Sequence, residues 1–322
     1  LISKYPGSEP ASEAQFIIGR TLEEQLGKPA DAMQEYKKLT WGAYVGAAHS
    51  RLGLLTAKQV NIETERVFRT NEIPSITLRS RNVDKVTVRV YKLDLETYFR
   101  KMHLAGGVEG LDLALIDPDR SFEFAVPEYA DFKPMESSID LPGLANADSD
   151  AKPGVVAVTV SGKTLEATTL VIRSDLDVIV KSSRDETFVF AQNMRTGKPW
   201  PAARVLISDG AEVVAEAATG KDGVYRASPE RLKATNDVRV FAVADGNTAS
   251  NIVSLNGVGV SRSLEERGFL YTDRSGYQPG QVVHVRGVLR AVAEDKYVAV
   301  PKRKYRLDTY DARSRLVYTT EV

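Results

Sequence analysis

The apolar residues of this chain change period near Gln59, from about 3.6 to about two, and that switch does most to limit its fold. Before it, Ala14, Ile18, Leu22 and Leu26 fall on one helical face, and Gly27 supplies a stop. "KPADAMQEYKKL" restarts a helix, with Pro29 in its first turn and Ala32, Tyr36 and Leu39 on one side. "YVGAAHSRLGLLTA" predicts a third helix. After Gln59, Val86, Val88 and Val90 alternate with Thr87, Arg89 and Tyr91, the pattern of a strand with one wet face. "GVVAVTVSG", "ATTLVIRS", "LDVIVKSS", "ETFVFAQN", "ARVLISDG", "EVVAEAAT", "VRVFAVADG" and "NIVSLNG" follow, many of them parted by Pro-Gly, Ser-Gly or Asp-Gly turn signals. Short strands with polar turns and no helices between them predict serial antiparallel β-sandwiches behind a short α-helical region, a mainly β chain.

One segment breaks the rhythm, from about Leu95 to Lys152. Its start, "LETYFRKMHLAGGVEGLDLALI", predicts one or two short helices, and the rest is turn-rich and acidic. Between Glu109 and Asp150 there are eleven Asp and Glu against two Lys and Arg, a net charge of −9. The whole chain, by contrast, balances 43 basic against 43 acidic residues, which points away from nucleic acid as a general partner. No window approaches the roughly 20 apolar residues of a membrane-spanning helix. "LISKYPGSEP" does not read as a signal peptide, and the lack of an initiator Met makes the chain read as a piece of something longer, with any export signal in the missing part. It has no cysteine, so disulfides, thiol nucleophiles and Cys-bound metals are excluded and the redox compartment stays open.

A search for chemistry finds no convergent set of acid, base and nucleophile. Only His49, His103 and His284 are present, and His284 is predicted on the polar face of a strand beside two cations, Arg286 and Arg290, a poor setting for a general base. Asn146, Asp148 and Asp150 have metal-like spacing, but Ala151 and Ala157 stand where a calcium loop needs Gly and Glu. The pairs Asp117/Asp119 and Asp175/Asp177 have no third ligand nearby in sequence. No nucleophile elbow, phosphate loop or zinc helix occurs, and "GVGV" at Gly257 is a turn. Lys302, Arg303, Lys304 and Arg306 alternate with Tyr305 and Leu307 as a solvated strand edge would. The expectation is therefore a non-enzyme with no catalytic, cofactor or metal site.

The stretch "YTDRSGYQPGQVVHVRG", Tyr271 to Gly287, is read as strand, tight turn, strand. Pro279-Gly280 is the central pair of a type II turn, and Asp273 and Arg274 stand where they can fix the loop that leads to Tyr277. The run resembles the signature of the alpha-2-macroglobulin family through Tyr271, Thr272, Asp273, Arg274, Tyr277, Pro279, Gly280, Gln281 and Val283, with Gln278 where the family pattern has Arg. "RNVDKVTVRVYKLDLETYF" resembles an early domain of the bacterial members, and the stretch from Ile172 to Ser228 resembles the domain before the signature. Over residues 62–322 the resemblance implies macroglobulin-like sandwiches at 61–175, with the acidic segment at about 95–152 inserted, at 176–258, and at 259–322, the last cut short. It further implies a scaffold piece of an extracytoplasmic protease inhibitor, whose bait region and any thioester lie outside this chain and meet the proteases there.

The helices carry a second resemblance. Ala14/Ala48, Ile18/Leu52 and Gly19/Gly53 recur at 34 residues, as in a tetratricopeptide repeat, although Gly19 to Gly27 is one step too long for the pattern. That implies a tetratricopeptide-like segment at 1–60 with a possible protein partner on its stacked face. The rival reading of the β-part is a surface adhesin or a carboxypeptidase-regulatory-like scaffold, which "TGKPWPAARV" and "ATGKDGVY" alone would also fit.

Overall fold

Helix α1 (Glu9–Arg20) starts at Ser8, whose hydroxyl accepts the Ala11 N–H, and passes into a π-helical turn at Thr21–Gln25. Helices α2 (Pro29–Lys38) and α3 (Val45–Thr56) follow, and Ala32, Tyr36, Leu39, Ala48 and Leu55 form the core of the three. The buried side of α1 is Ala11, Ser12, Gln15 and Gly19, not the face expected through Ala14, Ile18, Leu22 and Leu26; Ile18 is 42% exposed and Leu26 57%. Bulk is the reason. A Cβ on Gly19 would meet the Tyr36 ring at 2.5 Å, so α2 closes only on the small-residue side of α1. A π-turn holds one residue more than an α-turn. The π-helical turn at Thr21–Gln25 thus puts one residue more between Gly19 and Gly27 than an α-turn would.

The structure, a computed structural model, describes residues 1–105, 113–141, 152–183, 186–228, 230–234, 237–253, 262–274, 277–278, 280–299, 303–311 and 313–322. Contacts divide it into two units, Leu1–Leu111 with Pro118–Ser263, and Asp112–Asp117 with Leu264–Val322.

In the first unit, seven strands follow the helices: β1 (Gln59–Glu63), β2 (Ser75–Arg81), β3 (Lys85–Lys92), β4 (Arg120–Ala125), β5 (Pro134–Asp140), β6 (Gly154–Gly162) and β7 (Leu165–Arg173). They form two antiparallel sheets, β1-β2-β5 and β7-β6-β3-β4, which enclose Val60, Ile62, Ile76, Leu78, Val88 and Val158. The segment expected to be turn-rich thus supplies β4 and β5, paired to β3 and β2. Its polar residues take the outer positions, while Phe122, Phe124, Met135 and Ile139 face the core. The wet face expected for β3 is also absent, since Thr87, Arg89 and Tyr91 are all buried. The Arg89 guanidinium is tolerated there because it donates to Ser161 Oγ at 2.8 Å and lies 3.8 Å from Glu166.

A second sandwich contains β8 (Leu176–Ser182), β9 (Thr187–Asn193), β10 (Arg204–Ser208), β11 (Val213–Ala218), β12 (Val224–Ala227), β13 (Arg239–Ala244) and β14 (Asn247–Ser250). Its sheets are β12-β9-β8 and β11-β10-β13-β14, around Leu176, Val189, Val205, Ile207 and Val240. The last strand is Asn247–Ser250, earlier than the expected "NIVSLNG". Asn251 N–H still reaches the Val240 carbonyl at 3.3 Å, but its side chain takes the Val240 N–H and the Val238 carbonyl, which a continuing strand would bond through its backbone. Of that run, 254–257 lie outside the described residues. Strand β15 (Arg262–Ser263) pairs with β7. Helix α4 (Leu95–Met102), capped by Asp94, packs Leu95 and Phe99 between the sandwiches.

The second unit holds the antiparallel sheet β16 (Arg267–Thr272), β17 (Val285–Ala293) and β18 (Lys296–Ala299), and the pair β19 (Arg306–Tyr310) and β20 (Leu316–Glu321). A 3-10 turn at Leu113–Leu115 belongs to it, and Asp117 pairs with Arg290 at 3.1 Å.

Candidate functional site

The run from Tyr271 to Val283 is gathered around one carboxylate. Strand β16 ends at Thr272 and β17 begins at Val285, and the connecting loop lies between them. Asp273 N–H donates to the His284 carbonyl at 3.1 Å, and Asp273 Oδ1 accepts the His284 N–H at 3.2 Å and the Tyr277 hydroxyl. Arg274 Nε donates to Asp273 Oδ2 at 3.2 Å, its N–H reaches the Tyr277 oxygen at 3.2 Å, and its carbonyl accepts from Thr272 Oγ1 at 2.7 Å. The Tyr277 hydroxyl above all, then His284 N–H and Arg274, hold the Asp273 carboxyl below the usual aspartate range. Each bond goes to a carboxylate that is already charged, which strengthens it.

Beyond Tyr277 the chain reverses in a β-turn. Gln281 N–H donates to the Gln278 carbonyl at 3.1 Å, and Gly280 has φ +88°. Positive φ at the third position is what a type II turn requires. The Gln281 side chain also accepts the Gln278 N–H at 3.0 Å, so both glutamines lock the turn. Pro279 lies outside the described residues. Tyr271 and Val283 are exposed, at 42% and 47%. The structure brings Thr272, Asp273, Arg274 and Tyr277 together and keeps Gln278, Gly280 and Gln281 as a separate turn. The group holds a loop.

Several of the other described residues singled out from sequence have structural partners. His103 ends α4 in a left-handed conformation, with Nδ1 2.9 Å from Ser208 Oγ, which also accepts the Gly210 N–H. His49 is exposed on α3, and His284 serves through its backbone. Asp119 accepts the Lys92 N–H, and Asp177 accepts from Val178. Arg303, Lys304 and Arg306 reach Glu266, Glu321 and Asp308. Asn146, Asp148, Asp150, Lys302 and "GVGV" lie outside the described residues. Among the described residues no group of three or more His, Cys, Asp or Glu converges on a metal position, and no helix is long and apolar enough to cross a membrane.

Sequence reasoning missed a network at the junction of the two sandwiches. Asp175, only 7% exposed, accepts Thr70 N–H at 2.9 Å and the Thr70 hydroxyl, and Arg195 lies 3.5 Å away. Asp175 N–H in turn donates to Asn247 Oδ1 at 2.7 Å. These residues are scattered over the chain, so no local pattern announces them.

No protein-family model matches the chain. An alpha-2-macroglobulin of Thermotoga maritima is 25% identical to it over 244 residues, 74% of this chain. The chain is alpha-2-macroglobulin-like. It spans 14% of the length of that macroglobulin. A crystal structure of native Escherichia coli alpha-2-macroglobulin spanning domains NIE-MG1 covers 61% of this chain and 97% of its own, with 15% identity and a TM-score of 0.45. A longer structure of the same macroglobulin, spanning MG0-NIE-MG1, gives 16% identity and the same TM-score, with 61% of this chain and 64% of that one covered.

Proposed function

We propose that this chain is a non-catalytic scaffold portion of a bacterial, extracytoplasmic endopeptidase inhibitor of the alpha-2-macroglobulin type. The observation that carries the reading is the 244-residue similarity to the Thermotoga maritima alpha-2-macroglobulin. The Asp273 network supports it, because within the family-like run Tyr271, Thr272, Asp273, Arg274, Tyr277, Pro279, Gly280, Gln281 and Val283 it gives Thr272, Asp273, Arg274 and Tyr277 a loop-holding task. In this reading the domains are 1–60, 61–175, 176–258 and 259–322. The two sandwiches and the hairpin unit position bait and capture elements of a longer parent, and proteases meet the parent through those elements.

The test uses the parent protein. It is incubated with a broad-specificity endopeptidase, and the residual activity is read on a small chromogenic peptide and on a large protein substrate. A trap leaves cleavage of the small substrate intact and abolishes that of the large one. Loss of both, or of neither, contradicts the reading.

The helices at 1–60 are assigned here to a tetratricopeptide-like stack with a protein-binding face. The close approach at Gly19 supports this.

A further inference from the structure

We propose that helix α4 is a clasp that makes the two sandwiches of the first unit one rigid body, and that releasing it leaves them pivoting on the tether Ser174–Asp175. Each sandwich has its own core, and a third apolar cluster lies between them. Phe99 of α4 stacks on Phe241 of β13 with ring centroids 5.1 Å apart and planes 19° from parallel. Leu95 of α4, Leu206 of β10, and Val155, Leu170 and Ile172 of β6 and β7 complete that layer.

Above the layer runs a closed ring of four charges. Arg100 Nε donates to Glu96 at 3.0 Å, and its Nη2 donates to Glu216 at 2.7 Å. Arg204 donates to Glu96 and, at 3.1 Å, to Glu216. Two members come from α4 and two from β10 and β11, so the ring spans the joint. Networks of this kind hold geometry better than isolated surface pairs, because each charge is fixed twice.

The other side of the joint is different. There the sandwiches are linked covalently by Ser174 and Asp175, between β7 and β8, and the seam beside them keeps a cavity of about 320 Å³. Arg66, Arg69, Ile172, Leu176 and Val253 are among its lining residues. Its two arginines are already engaged, Arg66 with Glu72 at 2.7 Å and Arg69 with the Ser174 carbonyl at 2.8 Å. The tether side is thus held by polar contacts, Thr70 with Asp175 at 2.9 Å and Arg195 with Thr70 at 2.9 Å, beside that cavity, and the aromatic stack lies on the α4 side. Two separated attachments give a rigid pair; one gives a hinge. Any rearrangement of a longer protein would move the two sandwiches together for as long as the clasp is shut.

The absence of cysteine makes the test direct. Ser138→Cys in the first sandwich and Lys181→Cys in the second, both at exposed positions, carry spin labels, and pulsed electron spin resonance reads the distance distribution between them. The full chain should give one narrow peak. Phe99→Asp, which leaves both sandwich cores intact, should at least double its width, and Arg204→Glu should broaden it by a smaller factor. Strand content by circular dichroism checks that the sandwiches persist; if Phe99→Asp loses it, Arg204→Glu decides alone. A broad distribution in the parent background, or a narrow one in the deciding variant, overturns the clasp.

Discussion

Gly19 and Gly53 occupy equivalent positions in the 34-residue recurrence, yet the structure gives them opposite mutational signs. At Gly19 an added Cβ would sit 2.5 Å from Tyr36 Cε1 and 2.7 Å from Cδ1. The ring cannot swing aside cheaply. Its hydroxyl donates to Glu23 at 2.8 Å, and Glu23 is itself paired with Arg51 at 2.8 Å. Overpacking of this kind costs about 2–3 kcal/mol, and alanine recovers about 1 kcal/mol of helix propensity over glycine. Gly19→Ala should therefore lose about 1–2 kcal/mol of local stability. At Gly53 nothing lies within 4 Å of the added atom, so Gly53→Ala should gain about 0.5–1 kcal/mol. Hydrogen exchange followed by mass spectrometry on peptides from α1 and α2 reads this locally, without assuming that the chain unfolds in one step. Exchange should quicken about 5- to 30-fold in Gly19→Ala, and α3 peptides should exchange more slowly in Gly53→Ala. Equal effects at the two glycines would refute the argument that only the first is an interhelical contact.

Three further outcomes are expected. Gly280→Val forces a β-branched residue to φ +88° and should destabilise the hairpin unit by about 1–3 kcal/mol, seen as a lower melting midpoint; an unchanged midpoint means the turn relaxes into another type. Asp273→Asn keeps the size but weakens the bonds from Tyr277, Arg274 and His284, so exchange at the His284 amide should quicken, whereas an unchanged rate would make the network incidental. Acid should loosen the clasp: Glu216 is held below the ordinary glutamate value, first by Arg100 and then by Arg204, with Glu96 beside them in the ring. A depressed carboxyl contributes fully above its unfolded value of about 4.3 and loses that contribution as pH falls through the folded value. The distance distribution between the two sandwiches should then broaden below about pH 4 and stay narrow between 5 and 8; no change on acidification would mean that the apolar layer alone holds the joint.

What the sequence revealed depended on how local the cause was. "GVVAVTVSG" is β6 (Gly154–Gly162) because a run of β-branched residues between turn signals has one good conformation. Pro279-Gly280 announced its turn, since the positive φ at Gly280 is a property of one residue. Strands β4 and β5 were hidden by their outer faces, where Glu123, Glu136 and Asp140 outweigh Phe122, Phe124 and Ile139 in any window average. Leu95 and Phe99 read as a helix, but their partners Leu206 and Phe241 lie more than a hundred residues on, so the clasp was invisible. Asp175 read as half of an acidic pair with Asp177. Its actual partner, Thr70, is 105 residues away. The candidate site was legible for the same reason the turn was, because Asp273, Arg274, Tyr277 and His284 meet within one hairpin.

The central claim is the proposal that this chain is a scaffold portion that does not itself capture proteases. It is tested most directly by mixing the 322-residue chain at equimolar and tenfold excess with serine, cysteine, aspartic and metallo-endopeptidases, and following both protease activity and chain integrity. The account predicts unchanged protease rates on large and small substrates at every ratio. Stoichiometric inhibition of any one of them by the chain alone would contradict it.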